Sequence, residues 1–435
     1  MSTAAAVELE VVGTRGLALV PAPVQRLLSA GPGGWAGHVE RHGPLPHLPG
    51  RSEAIRAVVA ESGLTGRGGA GFPTAAKLAA VAAGGGGAVV VANGTEGEPA
   101  SAKDKVLLSR NPHLVLDGVL VAMEAVNAEE ALVAVARDDD RSHACLEAAL
   151  RERRREARRI RLARVPDRFV AGEESALVRW LSGGEAKPTF KPPRPFERGV
   201  NGRPTLVQNV ETLANLALVA RHGAGWFREI GLEEEPGSVL ATVRGAVRRP
   251  GLVEVALGTP LRALVDLCGG LSEPARAVLI GGYFGTWIPA EGNLDLPLAQ
   301  AALGSVGASL GARTIAVLPR RTCGLSETAR IVRYLASESA GQCGPCVFGL
   351  PAVADALDAL VGGGSRAECA LSRLDRLAPQ IVRRGACAHP DGTLRLVASA
   401  LAVFADEIDE HLAGRCTGSA DAPLLPTASG NGEWR

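Results

Sequence analysis

Residues 63–77, GLTGRGGAGFPTAAK, gather five glycines, an arginine and a lysine around one turn. Glycines lay backbone N–H groups open. The breaker-free run 74–83 behind Pro73 predicts a helix whose N-terminus, with its unpaired N–H groups and dipole, favours an anion, and Pro73 suits its first position. This pattern offers a phosphate cradle, with Lys77 adding charge one turn into the helix; a plain flexible turn is the competing reading. Gly66, Gly68 and Gly71 also satisfy G-x-G-x-x-G, but that fingerprint should follow a strand. SEAIRAVVAES before it reads as a serine-capped helix with Ile55, Val58 and Val59 on one face, which argues against a dinucleotide unit of that kind.

Three further patches carry reactive groups. Residues 93–105, NGTEGEPASAKDK, form a glycine-broken acidic loop after the strand-like AVVVA, and the carboxyl end of a strand is where α/β folds place ligands. AGEES sets Glu173 beside Glu174; two adjacent acids resist joint ionisation when buried, so one can hydrogen-bond a heteroaromatic ring or ribose, whereas solvation at the surface is the plain reading. Cys343 and Cys346 form C-x-x-C just after a helix, and Cys387 follows in RRGACAHP between two helical stretches. Three thiolates at one end of a bundle suit iron–sulfur or zinc; a redox dithiol is the alternative, although the strand that should precede it is missing. Cys145, Cys268, Cys323 and Cys369 lie singly in apolar or turn settings and read as packing residues.

The elements that must position these groups fall into three regions within 435 residues, more than one core usually covers. Residues 1–225 mix glycine-rich turns, helices and short apolar strands at 88–92 and 131–136, the pattern of an α/β sandwich domain. In 236–318, VLATVRG and LVEV alternate around an RRPG turn, 260–267 reads as a helix and 277–280 as another strand, which predicts a small β-grasp module. In 322–415, Leu350, Val353, Leu357 and Leu360 form one stripe, and Leu394, Val397, Leu401, Phe404, Ile408 and Leu412 another; with helices near 327–337 and 371–383 they predict a helical bundle. Residues 416–435 read as a loose tail. The arginine-dense stretch 146–164 reads as a helix with a solvated face.

The formal net charge is +1, so nothing points to nucleic acid. No apolar run approaches the roughly 18 residues of a spanning helix, and the first 20 residues lack the signature of a secretory signal. The cytoplasm is the default expectation, and the eight cysteines are then thiols or metal ligands rather than disulfides.

Taken in order, the glycine loop, the acidic segment, the Glu pair, KPPRPF, GRPTLVQNVETLAN and ESAGQCGPC resemble the flavin- and NADH-binding F-type subunit of respiratory complex I and its hydrogenase and formate dehydrogenase relatives. The resemblance runs from about residue 64 to residue 411 and implies the same three regions: an α/β flavin domain, a β-grasp domain of the soluble-ligand-binding type and a helical cluster domain. It implies hydride transfer from NADH or NADPH to FMN and release of single electrons into a 4Fe-4S or 3Fe-4S cluster. It also implies a ferredoxin-like or thioredoxin-like iron–sulfur partner subunit, through which the protein could lie peripheral to a membrane complex; membership of complex I itself is not implied. Residue by residue, Gly66, Arg67, Gly68, Gly69, Gly71 and Lys77 match the loop beside flavin and nucleotide, and Phe72 matches an aromatic near the adenine. Asn93 and Glu96 match the acidic flavin loop and Glu98 a position facing the nucleotide. Gly172, Glu173 and Glu174 match the flavin-proximal Glu pair, Lys191 a nucleotide-facing lysine, and Asn209 and Thr212 the segment under the flavin. Glu96 and Glu174 would be the catalytic carboxylates, and Cys343, Cys346 and Cys387 the cluster ligands.

The chain departs from the pattern in ways that bear on chemistry. Where the family reads E-S-C-G-x-C-x-P-C, the first cysteine is Ala340, which leaves three matched thiolates; His389, two residues from Cys387, is a candidate fourth ligand beside its plainer reading as a capping or packing histidine. Ala80 and Arg194 stand where two phenylalanines are usual, and Thr95 replaces an aspartate. Two other readings stay open at this point: a ferredoxin-fed electron-transfer subunit that does not use NADH, and a non-catalytic scaffold that keeps the fold.

Overall fold

The computed structural model describes residues 7–8, 16–28, 34–47, 50–85, 87–416, 418, 423–427 and 433–435. The α/β region is built on four parallel strands in the order Ile160–Val165, Ala128–Ala136, Ala88–Gly94, Thr205–Asn209. Strand Ala88–Gly94 reads AVVVANG because both of its faces are covered. Ala88, Val90 and Ala92 pack into the core under helices Ser52–Ser62, Pro112–Ala125 and Val210–Arg228, and Val89 and Val91 pack toward helix Glu174–Leu181. A parallel sheet buried on both sides has no need of polar alternation. The two long helices cross at Gly118, where an added Cβ would lie 1.9 Å from the Leu213 carbonyl oxygen.

From the central strand the chain moves to one side for Ala128–Ala136 and Ile160–Val165, then returns to the other side for Thr205–Asn209. The reversal puts the carboxyl ends of two neighbouring strands, Asn93 paired with Asn209, at a topological switch point, where an open α/β sheet leaves a crevice.

The second region is a mixed sheet. The hairpin Ser238–Gly245 and Gly251–Ala256 is joined by Thr314–Pro319, parallel to the first strand, and by Ala275–Ile280 and Thr286–Pro289, with helix Leu261–Leu267 on one face. This is the expected β-grasp module. Its strands alternate between two cores: Val278, Ile280, Ile315 and Val317 pack with Leu261 and Leu264, whereas Ala277, Leu279, Ala316 and Leu318 pack against the C-terminal helices. The bundle therefore rests on the free face of this sheet.

The bundle comprises helices Gly324–Ser337, Leu350–Gly362, Ser365–Ile381, His389–Val403 and Ala405–Leu412. The stripe Leu350, Val353, Leu357 and Leu360 is buried as expected. The second stripe is divided between two helices, because the chain leaves helical geometry at Phe404 (φ −110°, ψ 34°), whose ring packs edge-on against Trp287. The arginine-rich stretch 146–164 is corrected too. Its helix ends at Glu152, and Ile160–Val165 becomes an edge strand, since Ile160 and Val165 find buried places while Arg161 and Arg164 pair with Glu130 and Asp140 on the outside.

Residues 345–362 form one continuous helical stretch, long and apolar enough by composition to cross a membrane, where the sequence pattern predicts no such run. Here that apolar content is the bundle's own core stripe. Of the stretch expected to be a loose tail, Leu425 is buried, the Pro426 carbonyl accepts a hydrogen bond from the Tyr283 hydroxyl, and Trp434 stacks under Arg168 at 4.7 Å; residues 417, 419–422 and 428–432 lie outside the described part.

Candidate functional site

A cavity of about 700 Å³ opens at the switch point. Its wall holds Gly66, Gly68, Gly69, Gly71, Phe72 and Lys77 of the glycine loop, Asn93, Glu96 and Glu98 of the acidic loop, Gly172, Glu173 and Glu174, Lys191, and Asn209 and Thr212, together with Cys387 and His389. Patches far apart in the sequence thus meet around one space.

The glycine loop is a closed hairpin, with Gly66 N–H donating to the Phe72 carbonyl at 2.8 Å and Thr74 N–H to the Leu64 carbonyl at 3.0 Å. Pro73 sits at the N-cap position of helix Thr74–Ala82 rather than inside its first turn. Gly69 (φ +117°) and Gly71 (φ +63°) need glycine for their backbone, and Gly68 needs it for space, since a Cβ would come within 3.2 Å of the Asn209 Cβ. Arg67 is the exception among the expected loop residues: its side chain does not line the cavity. It is 1% exposed, donates to the Pro236 carbonyl at 3.1 Å, and its own N–H donates to Thr212 Oγ1 at 2.7 Å. Arg313, also buried, donates from behind to the carbonyls of Arg67 and Gly66. Arg313 therefore fixes the loop's carbonyls on the far side, Arg67 ties the loop to Pro236, and the amides of Gly68, Gly69 and Gly71 are left to the cavity.

The carboxylates have different attachments. Glu96 adopts φ +41°, accepts from the Ser101 hydroxyl and from Asp104 and Lys105 N–H, and so caps helix Lys103–Arg110. Glu98 reaches across to the β-grasp region, accepting from Tyr283 N–H at 2.8 Å and Ala100 N–H at 3.2 Å. Burial outweighs those two hydrogen bonds and pushes its carboxyl up to about 7. Glu173 caps helix Glu174–Leu181 and pairs with Lys191 at 2.9 Å, and Glu174 pairs with Lys77 at 2.8 Å. Asn93 donates to the Gly172 carbonyl at 2.8 Å, and Gly172 has no room for a side chain, because a Cβ would lie 2.2 Å from Thr95 Oγ1.

The floor is a buried charge network that sequence reading does not single out. Lys103 Nζ lies 2.7 Å from Asp104 Oδ1 and 3.1 Å from Glu211 Oε2, and Asn209, the cap of helix Val210–Arg228, donates to Asp104 Oδ2 at 2.7 Å and accepts from Lys103 at 3.2 Å. Burial, opposed by Lys103, pushes Asp104 up to about 7. The visible signal is KDK at the end of the acidic segment, but a run of charges reads as a solvated face until the tertiary structure encloses it. Phe284, Gly281 and Gly311, from the β-grasp region, complete the wall and carry no local pattern that would mark them.

Cys387 stands in the cavity wall, and the thiols of Cys343 and Cys387 lie near enough to Cys346 to raise its pKa after burial has done so. Ala340 offers no ligand atom, so this donor set holds three thiols, and a four-cysteine cluster does not fit it. A centre carried by three cysteines does. His389 is 2% exposed, its Nε2 lies 2.8 Å from the Leu335 carbonyl, and its Nδ1 has no hydrogen-bond partner among the described residues. Burial pushes it down to about 4. Ala80 and Arg194 do not line the cavity, and Arg194 is exposed.

Glycine amides without facing side chains, a basic residue at the loop, and a polar floor at a strand-end crevice of this volume fit a phosphorylated, flat heteroaromatic cofactor. Similarity to known proteins agrees with that chemistry. Residues 59–218 match the Nuo51 FMN-binding domain, 240–282 the SLBB domain, and 326–411 the NADH-ubiquinone oxidoreductase-F iron-sulfur binding region. The chain is 33% identical over 380 residues to the second F-type subunit of the NADH-quinone oxidoreductase of Rhizobium meliloti (strain 1021), covering 83% of this chain and 90% of the relative. It is 32% identical over 375 residues to the F-type subunit of the NADH-quinone oxidoreductase of Streptomyces coelicolor, covering 82% and 83%. The crystal structure of an NAD+-reducing NiFe hydrogenase in the H2-reduced state superimposes with a TM-score of 0.80 at 30% identity, over 94% of this chain and 68% of that one.

Proposed function

The chain belongs to the family of NADH-quinone oxidoreductase F-type subunits, and from that premise we propose how its own residues serve the activity. It is a flavoprotein oxidoreductase that passes electrons from NADH through FMN to an iron–sulfur centre. When bound, FMN supplies the conversion of a two-electron hydride into single electrons. The protein's work is to hold, orient and screen. The amides of Gly68, Gly69 and Gly71 with Lys77 receive the phosphate, while the Gly66 N–H closes the loop on the Phe72 carbonyl and Arg67 and Arg313 keep the loop shaped for it. Asn93, Gly172, Asn209 and Thr212 set the floor, above the buried Lys103–Asp104–Glu211 network. Glu98, Glu173 and Lys191 face the nucleotide side, and Glu96 and Glu174 present carboxylates to the reacting region. Cys343, Cys346 and Cys387 hold a 3Fe-4S centre, or a 4Fe-4S centre with one iron off cysteine.

The observation that carries this reading is the convergence of the glycine loop, both acidic segments and Cys387 on a single cavity. Cys387 would then hold its cluster in the same wall as the loop that would hold the phosphate. We propose further that a ferredoxin-like or thioredoxin-like iron–sulfur subunit takes the electrons, that the protein works in the cytoplasm, and that any membrane association comes through such partners. The deciding experiment is an anaerobic visible spectrum before and after NADH, with iron and sulfide analysis of the same sample. Flavin bleached by NADH in an iron- and sulfide-containing protein is expected. A flavin that NADH leaves oxidised would transfer the function to a ferredoxin-fed role, and a colourless protein would leave only a scaffold.

A further inference from the structure

A second set of metal-ligand atoms lies away from the cavity and uses none of its residues. Cys323, at the end of the β-grasp sheet, caps helix Gly324–Ser337 and is 1% exposed; its Sγ lies 3.3 Å from His411 Nε2 on helix Ala405–Leu412. Beyond that helix, Gly414 takes φ +73° and donates to the His411 carbonyl at 3.0 Å, which reverses the chain and returns Cys416 over the helix end. The ligand atoms of Cys323, His411 and Cys416 all fall within 4.8 Å of one another. Gly418 then presses on Cys323 so closely that a Cβ there would be 2.3 Å from the Cys323 nitrogen.

We propose that Cys323, His411 and Cys416 bind a zinc ion that clasps the C-terminal segment to the junction of sheet and bundle. Around a tetrahedral zinc, bonds of about 2.3 Å to sulfur and about 2.0 Å to nitrogen put neighbouring ligand atoms roughly 3.5–3.8 Å apart, so this trio needs shifts of only a few tenths of an ångström to about one. Two thiolates and a neutral imidazole cancel the ion's charge, which suits a site where two of the three ligands are buried. Glu407, whose Oε2 is 3.3 Å from Cys323 Sγ, is already committed: it accepts from Gly324 N–H at 3.1 Å and Leu325 N–H at 3.0 Å and pairs with Arg276 at 3.1 Å. The thiol proton that Cys323 shares with Glu407 leaves as the thiolate binds zinc, Arg276 offsets the charge of that carboxylate, and the fourth position goes to solvent on the side where Cys416 is exposed. Taken singly, Cys323 is a packing residue and Cys416 the start of a tail; the helix Ala405–Leu412 and its terminal turn bring them together.

The test is zinc analysis of the full-length protein purified anaerobically, wild type beside Cys416→Ser, His411→Gln and Cys343→Ser. About one zinc per chain is expected in wild type and in Cys343→Ser, and less than a tenth of that in Cys416→Ser and His411→Gln, with circular dichroism and flavin content unchanged. X-ray absorption at the zinc edge of the wild type, which does not depend on any variant folding, should give two sulfurs and two nitrogen or oxygen neighbours, the imidazole and the solvent. Wild type without zinc, zinc kept in Cys416→Ser and His411→Gln, a shell of sulfur alone, or a Cys323–Cys416 disulfide in the peptide map would each overturn the proposal.

Discussion

Replacing Glu98 by glutamine tests whether burial governs the acid that joins the acidic loop to the β-grasp region. In the folded chain its carboxyl is raised from the ordinary 4.5 to about 7, chiefly by burial, with Glu96 adding to the rise and the N–H groups of Tyr283 and Ala100 and the charge of Arg244 opposing it. A raised carboxyl binds its proton more tightly folded than unfolded, so its ionisation costs stability as pH climbs from about 4.5 to about 7, and the loss is complete above that. At 1.36 kcal/mol per unit the upper value is about 3 kcal/mol, and residual exposure of the side chain reduces it to roughly 2 kcal/mol. Glutamine has the shape of the protonated acid and cannot ionise. Asp104 is raised over the same window and is present in both proteins, so it cancels in the difference. Chemical denaturation of flavin-stripped protein at several pH values between 5 and 8.5 should therefore show the wild type losing about 2 kcal/mol more than Glu98→Gln. Parallel curves for the two proteins would refute the reasoning and mean that the two backbone hydrogen bonds and Arg244 compensate burial in full.

Three further outcomes are expected. Lys77→Ala should weaken FMN binding about tenfold or more, since a charge-assisted phosphate contact contributes about 1.5–3 kcal/mol; flavin titration checks this, and unchanged affinity would leave Lys77 as no more than the partner of Glu174. Ala340→Cys should restore a fourth thiolate and raise the iron content per chain, and electron paramagnetic resonance of oxidised and reduced samples should change from the wild-type signal; identical spectra would place residue 340 outside the cluster's reach. Arg194→Phe should leave the rates of flavin reduction by NADH and NADPH unchanged, because Arg194 is exposed and does not line the cavity; in stopped-flow measurements, tighter NADH with weaker NADPH would instead assign Arg194 to a ribose phosphate.

The order of the chemistry is legible in the chain itself. Glycine spacing, the acid pair, the C-x-x-C and the stripes that mark the helices are local patterns, because backbone freedom, charge adjacency and hydrophobic periodicity are set within a few residues. Local pattern fails where burial decides. Ile160–Val165 reads as helix because arginine density masks a strand that only the neighbouring Ala128–Ala136 stabilises, and residues 345–362 gain their apolar length because the π-helical turn Pro345–Gly349 runs directly into helix Leu350–Gly362. The loop pattern assigns Arg67 to the cavity, yet its side chain is buried behind the loop, where it bonds the Pro236 carbonyl and the Thr65 hydroxyl, neither of which the local sequence announces. Lys103, Asp104 and Glu211 look like surface charges, and His411 and Cys416 like the end of a helix and the start of a tail. Which charges are enclosed together, and which thiols meet, follows from long-range packing, whose energy depends on partners far away in the chain, as Lys103 is from Glu211 and Cys323 from Cys416.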